Sequence, residues 1–498
     1  MKLFWGDIHN HCDITYGFGS LENALNRAKD HLDFCAITGH AMWPDMPDKN
    51  PETEFLISFH KTGFNKLKEN WENVRNIINN FNSDREFVTF LSYEMHGSAL
   101  GDYHLVSPDC DIDLIYADSP KKLIEKLKGH NAVMIPHHIA YAPGYRGIDW
   151  QNFDNTISPV VEVYSKHGCS MNDKAPYPYY HNMGARDSRN TVYEGLRQGH
   201  RFSFVASTDH HAGYPGSYGD GKLAVLCEEK TRNSIFNAIC SGQTYAVTGD
   251  RIYCDFTING APFGSSIRGG ALKREIMLRV KASHFIDKIV VYKNLKPIRI
   301  INGENLDQIN SKGRYKVRIE MGWGNNKDLF TWNGSINVMK GSIVDIEKCF
   351  RGQSILAPSK DISADKDVNL MDNRILMQCE NKTEWICQTV KNISTLHPST
   401  SAIILEIAGD LDTELVGTIN GENFSLTISQ LLEHNLVHPL KPYNSQSFKI
   451  HRAVPESMFD IKLNWVDTKK DQDCDFYHAE VYQTNGSCAF ISPIYIEG

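Results

Sequence analysis

Six short segments in the first 211 residues combine histidine with carboxylates, the side chains from which divalent-metal sites are built. In order they are Gly6-Asp7-Ile8-His9-Asn10-His11, Thr38-Gly39-His40, Glu94-Met95-His96, Asp102-Tyr103-His104, Pro136-His137-His138 and Thr208-Asp209-His210-His211. Fifteen of the 21 histidines fall in this stretch, and most of the six segments close apolar runs. A multinuclear site requires neutral imidazole nitrogens together with anionic oxygens that bridge cations. The pattern therefore points to a metal hydrolase. His9 and His11 are two apart, so a regular strand would turn both imidazoles to one side, with Asp7 in phase to orient one of them. Glu94 follows the apolar run Phe87–Leu91, where a buried carboxylate is costly unless it meets a cation. One His-x-His pair is a weak signal. Six coinciding segments are a strong one.

Strands and helices must bring these segments together. Up to about residue 250, short apolar runs alternate with amphipathic stretches. Strands are expected at Leu3–Trp5, Phe34–Ile37, Phe87–Leu91, Ala132–Ile135, Val160–Val163 and Phe202–Val205. Their runs lack strict alternation, which suits a parallel sheet buried on both faces. Ser20 is placed to cap a helix carrying Leu21, Ala24, Leu25, Ala28 and Leu32, and helices are expected over 53–82, 118–129 and 231–242. Such alternation predicts an α/β barrel or sheet with its site at the C-terminal strand ends. After Thr248-Gly249-Asp250-Arg251 the pattern turns to strand-like runs such as Ile276–Val280 and Lys288–Tyr292, with turn signals at Asn259-Gly260 and Asn420-Gly421. The chain is thus expected to divide into an α/β domain, 1–250, and a mostly-β, sandwich-like accessory region, 251–498. A short helix is expected near 427–434, and loops at 303–315 and 356–370.

The chain has 498 residues, 41% hydrophobic and 22% charged, with a formal net charge of −8. Such an acidic balance argues against a general nucleic-acid binder. No signal-peptide pattern and no run of 18 apolar residues is visible, so neither export nor a membrane span is expected. Twelve scattered cysteines without a Cys-x-x-Cys pair favour free thiols in a reducing cytoplasm.

The motifs Gly-Asp-Ile-His-Asn-His, Thr-Gly-His, Glu before Tyr-His-Leu-Val, Ile-Pro-His and Ser-Thr-Asp-His-His resemble, in this order, those of the PHP (polymerase and histidinol phosphatase) superfamily over residues 3–250. Gln243–Ile252, Trp332-Asn333-Gly334 and Ser492-Pro493-Ile494 resemble a branch of long bacterial members with a β-rich C-terminal region. The resemblance implies a distorted (β/α)7 barrel holding two or three divalent ions: zinc, manganese or iron. Carried over by position, His9, His11 and Asp209 would bind one metal. Glu94 would bridge to a second held by His104 and His137, while His40 and His211 would serve a third. His96 is the alternative to His104. Two departures bear on the third metal: Gly39 stands where members often have Asp, and Cys12 and Tyr16 or Gly17 stand where Thr and an acidic or histidine ligand are common.

Two close cations would clamp substrate oxygens and make hydroxide available near neutrality. His211 or Asp209 is placed to protonate a leaving group, Arg186 and Arg251 to neutralise a phosphate, and His167 to line the pocket. His138 and His210, which point the other way on a strand, are read as structural. The leading expectation is a phosphoesterase acting on a small metabolite or sugar phosphate. The alternatives are hydrolysis or lysis of a non-phosphate bond (glycosidic, sulfate or amide) in a carbohydrate-type substrate, and a non-catalytic metal-binding module. The expected partner is a small molecule, phosphorylated or carbohydrate, with no nucleic acid and no membrane. A homo-oligomer is left open.

Overall fold

A computed structural model describes residues 1–498 except 128, 178, 180–184, 270–272, 304–311, 325–328, 354–370, 392–397 and 444. The N-terminal half contains, in chain order, β1 (Lys2–Asp7), α1 (Leu21–His31), β2 (Phe34–Ala36), β3 (Gly39–Met42), α2 (Glu54–Phe81), β4 (Val88–Met95), β5 (Asp102–Ser107), α3 (Pro120–Leu127) and β6 (Val133–His137). It continues through β7 (Val160–Ser165), β8 (Gly168–Cys169), α4 (Val192–Arg197), β9 (Ser203–Ala206), β10 (Lys222–Cys227), α5 (Arg232–Cys240) and β11 (Thr244–Val247). Ser20 caps α1 by accepting from the Asn23 amide, satisfying one of the donors a helix start leaves open. The helix then buries Leu21, Ala24, Leu25 and Ala28. Together with Leu67, Trp71, Val74 and Ile78 of α2, these cover one face of β2 and β4.

The strands run β11-β10-β1-β2-β4-β5-β6 in one sheet, with β3 paired to β4, while β8-β7-β9 form a separate three-stranded sheet. β7 packs against β6, and β9 against β10 and β11, yet no ladder joins these seams among the described residues. A closed, hydrogen-bonded (β/α)7 barrel is therefore not what is observed. The expectation of a parallel sheet also needs correction. β1–β2, β2–β4 and β7–β9 are parallel, whereas β1–β10, β4–β5 and β5–β6 are antiparallel. Between β4 and β5 the reason is local: the short link from Met95 to Asp102 can close a hairpin but cannot hold a crossover helix. Burial of β4 and β5 on both faces hid the difference in the sequence.

From residue 251 onward the described elements are strands apart from two short helices, Ile428–Glu433 and Glu456–Phe459. One six-stranded and one five-stranded sheet share a core that includes Val317, Ile319, Trp332, Trp385, Leu405 and Leu415. The expected loop at 303–315 lies outside the described residues over 304–311, and its end, from Lys312, is already strand; 356–370 lies outside them altogether. The last strand, Cys488–Glu497, returns to pair with β11 and continues the N-terminal sheet into the strands Cys474–Gln483, Ile286–Lys293 and Lys296–Asn302. All twelve cysteines are free. No helix among the described residues is long and apolar enough to cross a membrane.

Candidate metal centre

Strand register does much of the convergence. His40 of β3 stands opposite Glu94 of β4, and Glu94 stands opposite His104 of β5. His137, at the end of β6, faces Asp102, two register positions from His104 along β5. His9 and His11 lie beyond the end of β1, not on a regular strand as expected. An isolated bridge between Asn10 and His210 holds them against the Asp209 segment, with His11 N donating to His210 O at 2.8 Å and Asp209 N to His9 O at 2.7 Å. Asp7 does not orient an imidazole. Its carboxylate accepts from the amides of His9, Thr208 and Gly216 and from the Thr208 hydroxyl, tying the two ligand segments together.

The result is a buried cluster around one carboxylate. Glu94 Oε2 lies 3.5 Å from Nε2 of each of His9, His11 and His40, and Oε1 lies 3.2 Å from His137 Nε2 and 3.5 Å from His96 Nδ1. Asp209 Oδ1 lies 3.1 Å from His11 Nε2, 3.5 Å from His9 Nε2 and 3.6 Å from His211 Nδ1. Three mutually close donor sets share these residues: His9, His11 and Asp209; His9, His104 and His137; and His11, His40 and His211. His96 joins His40 and Glu94 in a fourth. All eight residues assigned as ligands thus come together. The donor set fits a divalent cation on an independent ground as well. Glu94 Oε2, His9 Nε2 and His104 Nε2 are buried with no hydrogen-bond partner, a cost that a native interior normally avoids.

Electrostatics agree with that geometry. Burial would push the Glu94 carboxyl up, but His40, His137 and His96 hold it well below its ordinary value. Burial likewise works against Asp209, and His9 and His167 hold its carboxyl down. Burial keeps His40, His104, His137 and His211 below the usual imidazole range, so each offers a neutral lone pair. Burial lowers His9 too, yet Asp209 and Glu162 outweigh it and raise His9 well above the ordinary value. Backbone strain gathers here: Asp209 and His138 adopt φ of 48° and 32°, a region costly for non-glycine residues.

Sequence reasoning missed three partners. Glu162, the lone charge in the apolar run of β7, places Oε2 3.0 Å from His9 Nδ1 and so fixes which nitrogen faces Glu94. Asp102 is buried and gathers His96 and His138 at 3.2 Å each, together with the Arg146 guanidinium. Arg146 also reaches His96 and lies over the Trp43 ring at 5.5 Å. Its loop closes tightly at Gly147, where a Cβ would sit 1.9 Å from the Tyr141 carbonyl. His167, expected to line the pocket, places Nε2 2.8 Å from Asp209 Oδ2, with the Tyr141 hydroxyl 2.9 Å from its other nitrogen.

The two arginines singled out from the sequence are elsewhere. Arg186 donates to the carbonyls of Asn172, Ala175 and Tyr177, and Arg251 to the His31 carbonyl while its guanidinium lies over Trp5. The side-chain hydrogen bonds that each makes to described residues go to backbone oxygens, Nε of each is buried without a partner, and neither joins the cluster. Cys12 packs in the core with its thiol pushed by burial up to about 12, unsuited to ligation. Tyr16 fills the place where an acidic ligand was sought. Its ring stacks on His40 at 3.9 Å and its hydroxyl lies 3.1 Å from His96 Nε2. His138 is tied to Asp102, and His210 lies 4.0 Å from Asp220.

No family model matches the chain. Among curated proteins it is similar to an uncharacterized protein of Chlamydia muridarum, 26% identical over 329 residues (61% of this chain, 48% of the relative). It is also similar to one of Chlamydia pneumoniae, 27% identical over 318 residues (59% and 48%). The chain spans about half the length of the curated relatives it matches. Its neighbours among solved structures include a two-domain protein from Bacteroides vulgatus containing a predicted PHP-like metal-dependent phosphoesterase, with 10% identity and a TM-score of 0.30 over 85% of this chain and 95% of that one. A lesion-specific endonuclease from Pyrococcus furiosus is also similar, with 12% identity and a TM-score of 0.28 over 48% and 56%. At these levels of similarity the functional reading rests on the residues themselves.

Proposed function

We propose that the chain is a metal-dependent hydrolase of the PHP superfamily, a phosphoesterase acting on a small metabolite or sugar phosphate. The observation that carries this reading is Glu94 Oε2, buried and without a hydrogen-bond partner, with three imidazole nitrogens equidistant from it at 3.5 Å. Residues His9, His11, Glu94 and Asp209 would hold one divalent ion, and Glu94, His104 and His137 a second, the metal being zinc, manganese or iron. When bound, such ions supply Lewis acidity and neutralise the anionic substrate. The chain's own residues do the rest. His167, held by Asp209 through Nε2 and by the Tyr141 hydroxyl through Nδ1, is the imidazole positioned to move a proton at the leaving oxygen. Arg146, anchored by Asp102 beside His96, takes the phosphate-facing part that the sequence assigned to Arg186 and Arg251. Residues 1–250 carry the reaction as a distorted, incompletely laddered barrel, and 251–498 serve it as an accessory region. The twelve free thiols support a cytoplasmic setting.

A panel of phosphomonoesters and phosphodiesters assayed with added zinc, manganese or iron tests this. Turnover that follows metal loading and disappears in Glu94→Ala is the expected result. Metal-loaded protein inert on every phosphoester refutes it. One observation favours the second reading, a non-phosphate bond in a carbohydrate-type substrate: Tyr16 stacks on His40 where a third metal's acidic ligand would stand. Turnover of a glycoside, sulfate ester or amide, with none on phosphoesters, would select it. Bound metal without any turnover would select the non-catalytic module.

A further inference from the structure

A second cleft, of about 530 Å³, lies beyond the loop that follows His211, between Tyr218-Gly219, the end of β11 and the C-terminal strands. Its size suits a small molecule of one or two rings. Among the described residues that line it, Pro398 is the one purely aliphatic side chain, and there is no leucine, isoleucine, valine, phenylalanine or methionine. Hydroxyls, amides, glycine backbone and cations dominate instead, which disfavours an apolar ligand and suits a polyhydroxylated one.

The donors are in surplus. The guanidinium carbons of Arg318 and Arg351 lie 4.9 and 4.8 Å from the Tyr218 ring centre, a ring fixed by its hydroxyl donating to Asp250 at 2.7 Å. Arg351 bonds only to carbonyls, Thr400 O through Nε and Tyr218 O through Nη1, and meets no carboxylate among the described residues. Arg318 spends Nη1 on Asp250, and its Nε lies 3.9 Å from Glu320 Oε2. The second terminal nitrogen of each guanidinium has no hydrogen bond to a described residue, nor has His284 Nε2, whose ring is held through Nδ1 by Thr484 at 3.0 Å. The nearby acids are already saturated. Asp250 accepts from Tyr218, Arg318, Gln483 and Asn485, and Glu320 from Thr400, with His451 at 2.8 Å. Tyr177, at the lip, is held at φ 58°, a conformation a bulky residue keeps only when its surroundings impose it.

We propose that this cleft is a second binding site, separate from the histidine cluster, for an acidic sugar: a polyhydroxyl body whose single phosphate or carboxylate sits between Arg318 and Arg351. Two guanidiniums with spare donors match the paired oxygens of either anion. The ligand would rest on Tyr218, in the loop that begins at His211, so occupancy there touches the segment that positions the metal ligands.

Calorimetric titration of the Glu94→Ala protein with glucose 6-phosphate, glucuronate and methyl glucoside tests the proposal with the histidine cluster disabled. At least one acidic sugar should bind roughly tenfold or more tightly than the neutral glucoside, the worth of one charge-assisted hydrogen bond. Which acidic sugar binds identifies the anion as phosphate or carboxylate. Adding Arg351→Ala should weaken that binding by roughly tenfold, and adding His284→Ala, which removes a single contact to Thr484, should weaken it with the fold intact. Equal binding of all three sugars, or binding indifferent to both substitutions, overturns the proposal. Loss of the metal in Glu94→Ala bears only on the proposed hydrolase, so the two readings fail separately.

Discussion

The two halves of the molecule bury charge in opposite ways. In the C-terminal half, buried carboxylates are saturated: Asp475 meets Arg274 and Lys293, Glu406 meets Lys281 and Arg314, and Glu320 meets Thr400 and His451. No buried carboxylate oxygen from residue 251 onward lacks a partner among the described residues. In the N-terminal half, Glu94 and Glu162 each keep one such oxygen unpartnered, and the three imidazoles around Glu94 Oε2 stand 3.5 Å away without hydrogen-bonding it, while Oε1 meets His137 at 3.2 Å. Saturated pairs hold a fold together. An unsatisfied carboxylate ringed by imidazole nitrogens marks a place where the missing partner is a cation. The comparison therefore predicts that substitutions in one half remove metal and leave stability, and that substitutions in the other do the reverse.

The largest effect is expected at Glu94. Glu94→Ala should take turnover to background and metal content down sharply while the unfolding transition is retained, as read by metal analysis beside circular dichroism. A collapse of the fold with metal still bound would break the comparison. Next is Glu162→Gln, which keeps shape but weakens the hold on His9 Nδ1; metal affinity should fall by roughly 10- to 100-fold in a competition titration with a chelator. Asp250→Asn tests a saturated carboxylate at the boundary, one held by Arg318, Gln483 and Asn485 of the C-terminal half. Burial would raise its carboxyl, yet Arg318 and the surrounding donors hold it at about 2, below the ordinary 3.8. A depressed carboxyl stabilises the fold above its unfolded value, and that contribution is lost as pH falls from about 4 through about 2. Asp250→Asn should thus cost about 2 kcal/mol near neutrality, with the gap to the parent closing over that acid window and metal content unchanged. The smallest effect concerns Arg251→Lys. With its donors on the His31 carbonyl, it should leave KM for any substrate unchanged within roughly twofold, whereas Arg146→Lys should raise it.

Local signals were legible and long-range ones were not. The spacing of Leu21, Ala24, Leu25 and Ala28 with Ser20 before them gave α1 and its cap, because helix geometry is a nearest-neighbour property. His9, His11, His40, Glu94, His104, His137, Asp209 and His211 could be named because their short motifs resemble, in order, those of a known superfamily and most of them adjoin apolar runs. Strand direction could not be read from β4 and β5, since both faces of each are buried and their composition carries no alternation. Arg146 escaped notice because nothing local distinguishes it from Arg186 or Arg251; only the fold brings it to Asp102. Glu162 did leave a trace, a single charge among Val160, Val161 and Val163, which a buried strand tolerates only beside a partner.

The measurement that tests the central claim most directly is the metal content of the purified chain by plasma mass spectrometry, before and after loading with zinc, manganese or iron, beside Glu94→Ala. The account predicts at least two divalent ions per parent chain and a marked loss in the variant. A parent chain that retains no metal under any loading condition would contradict it.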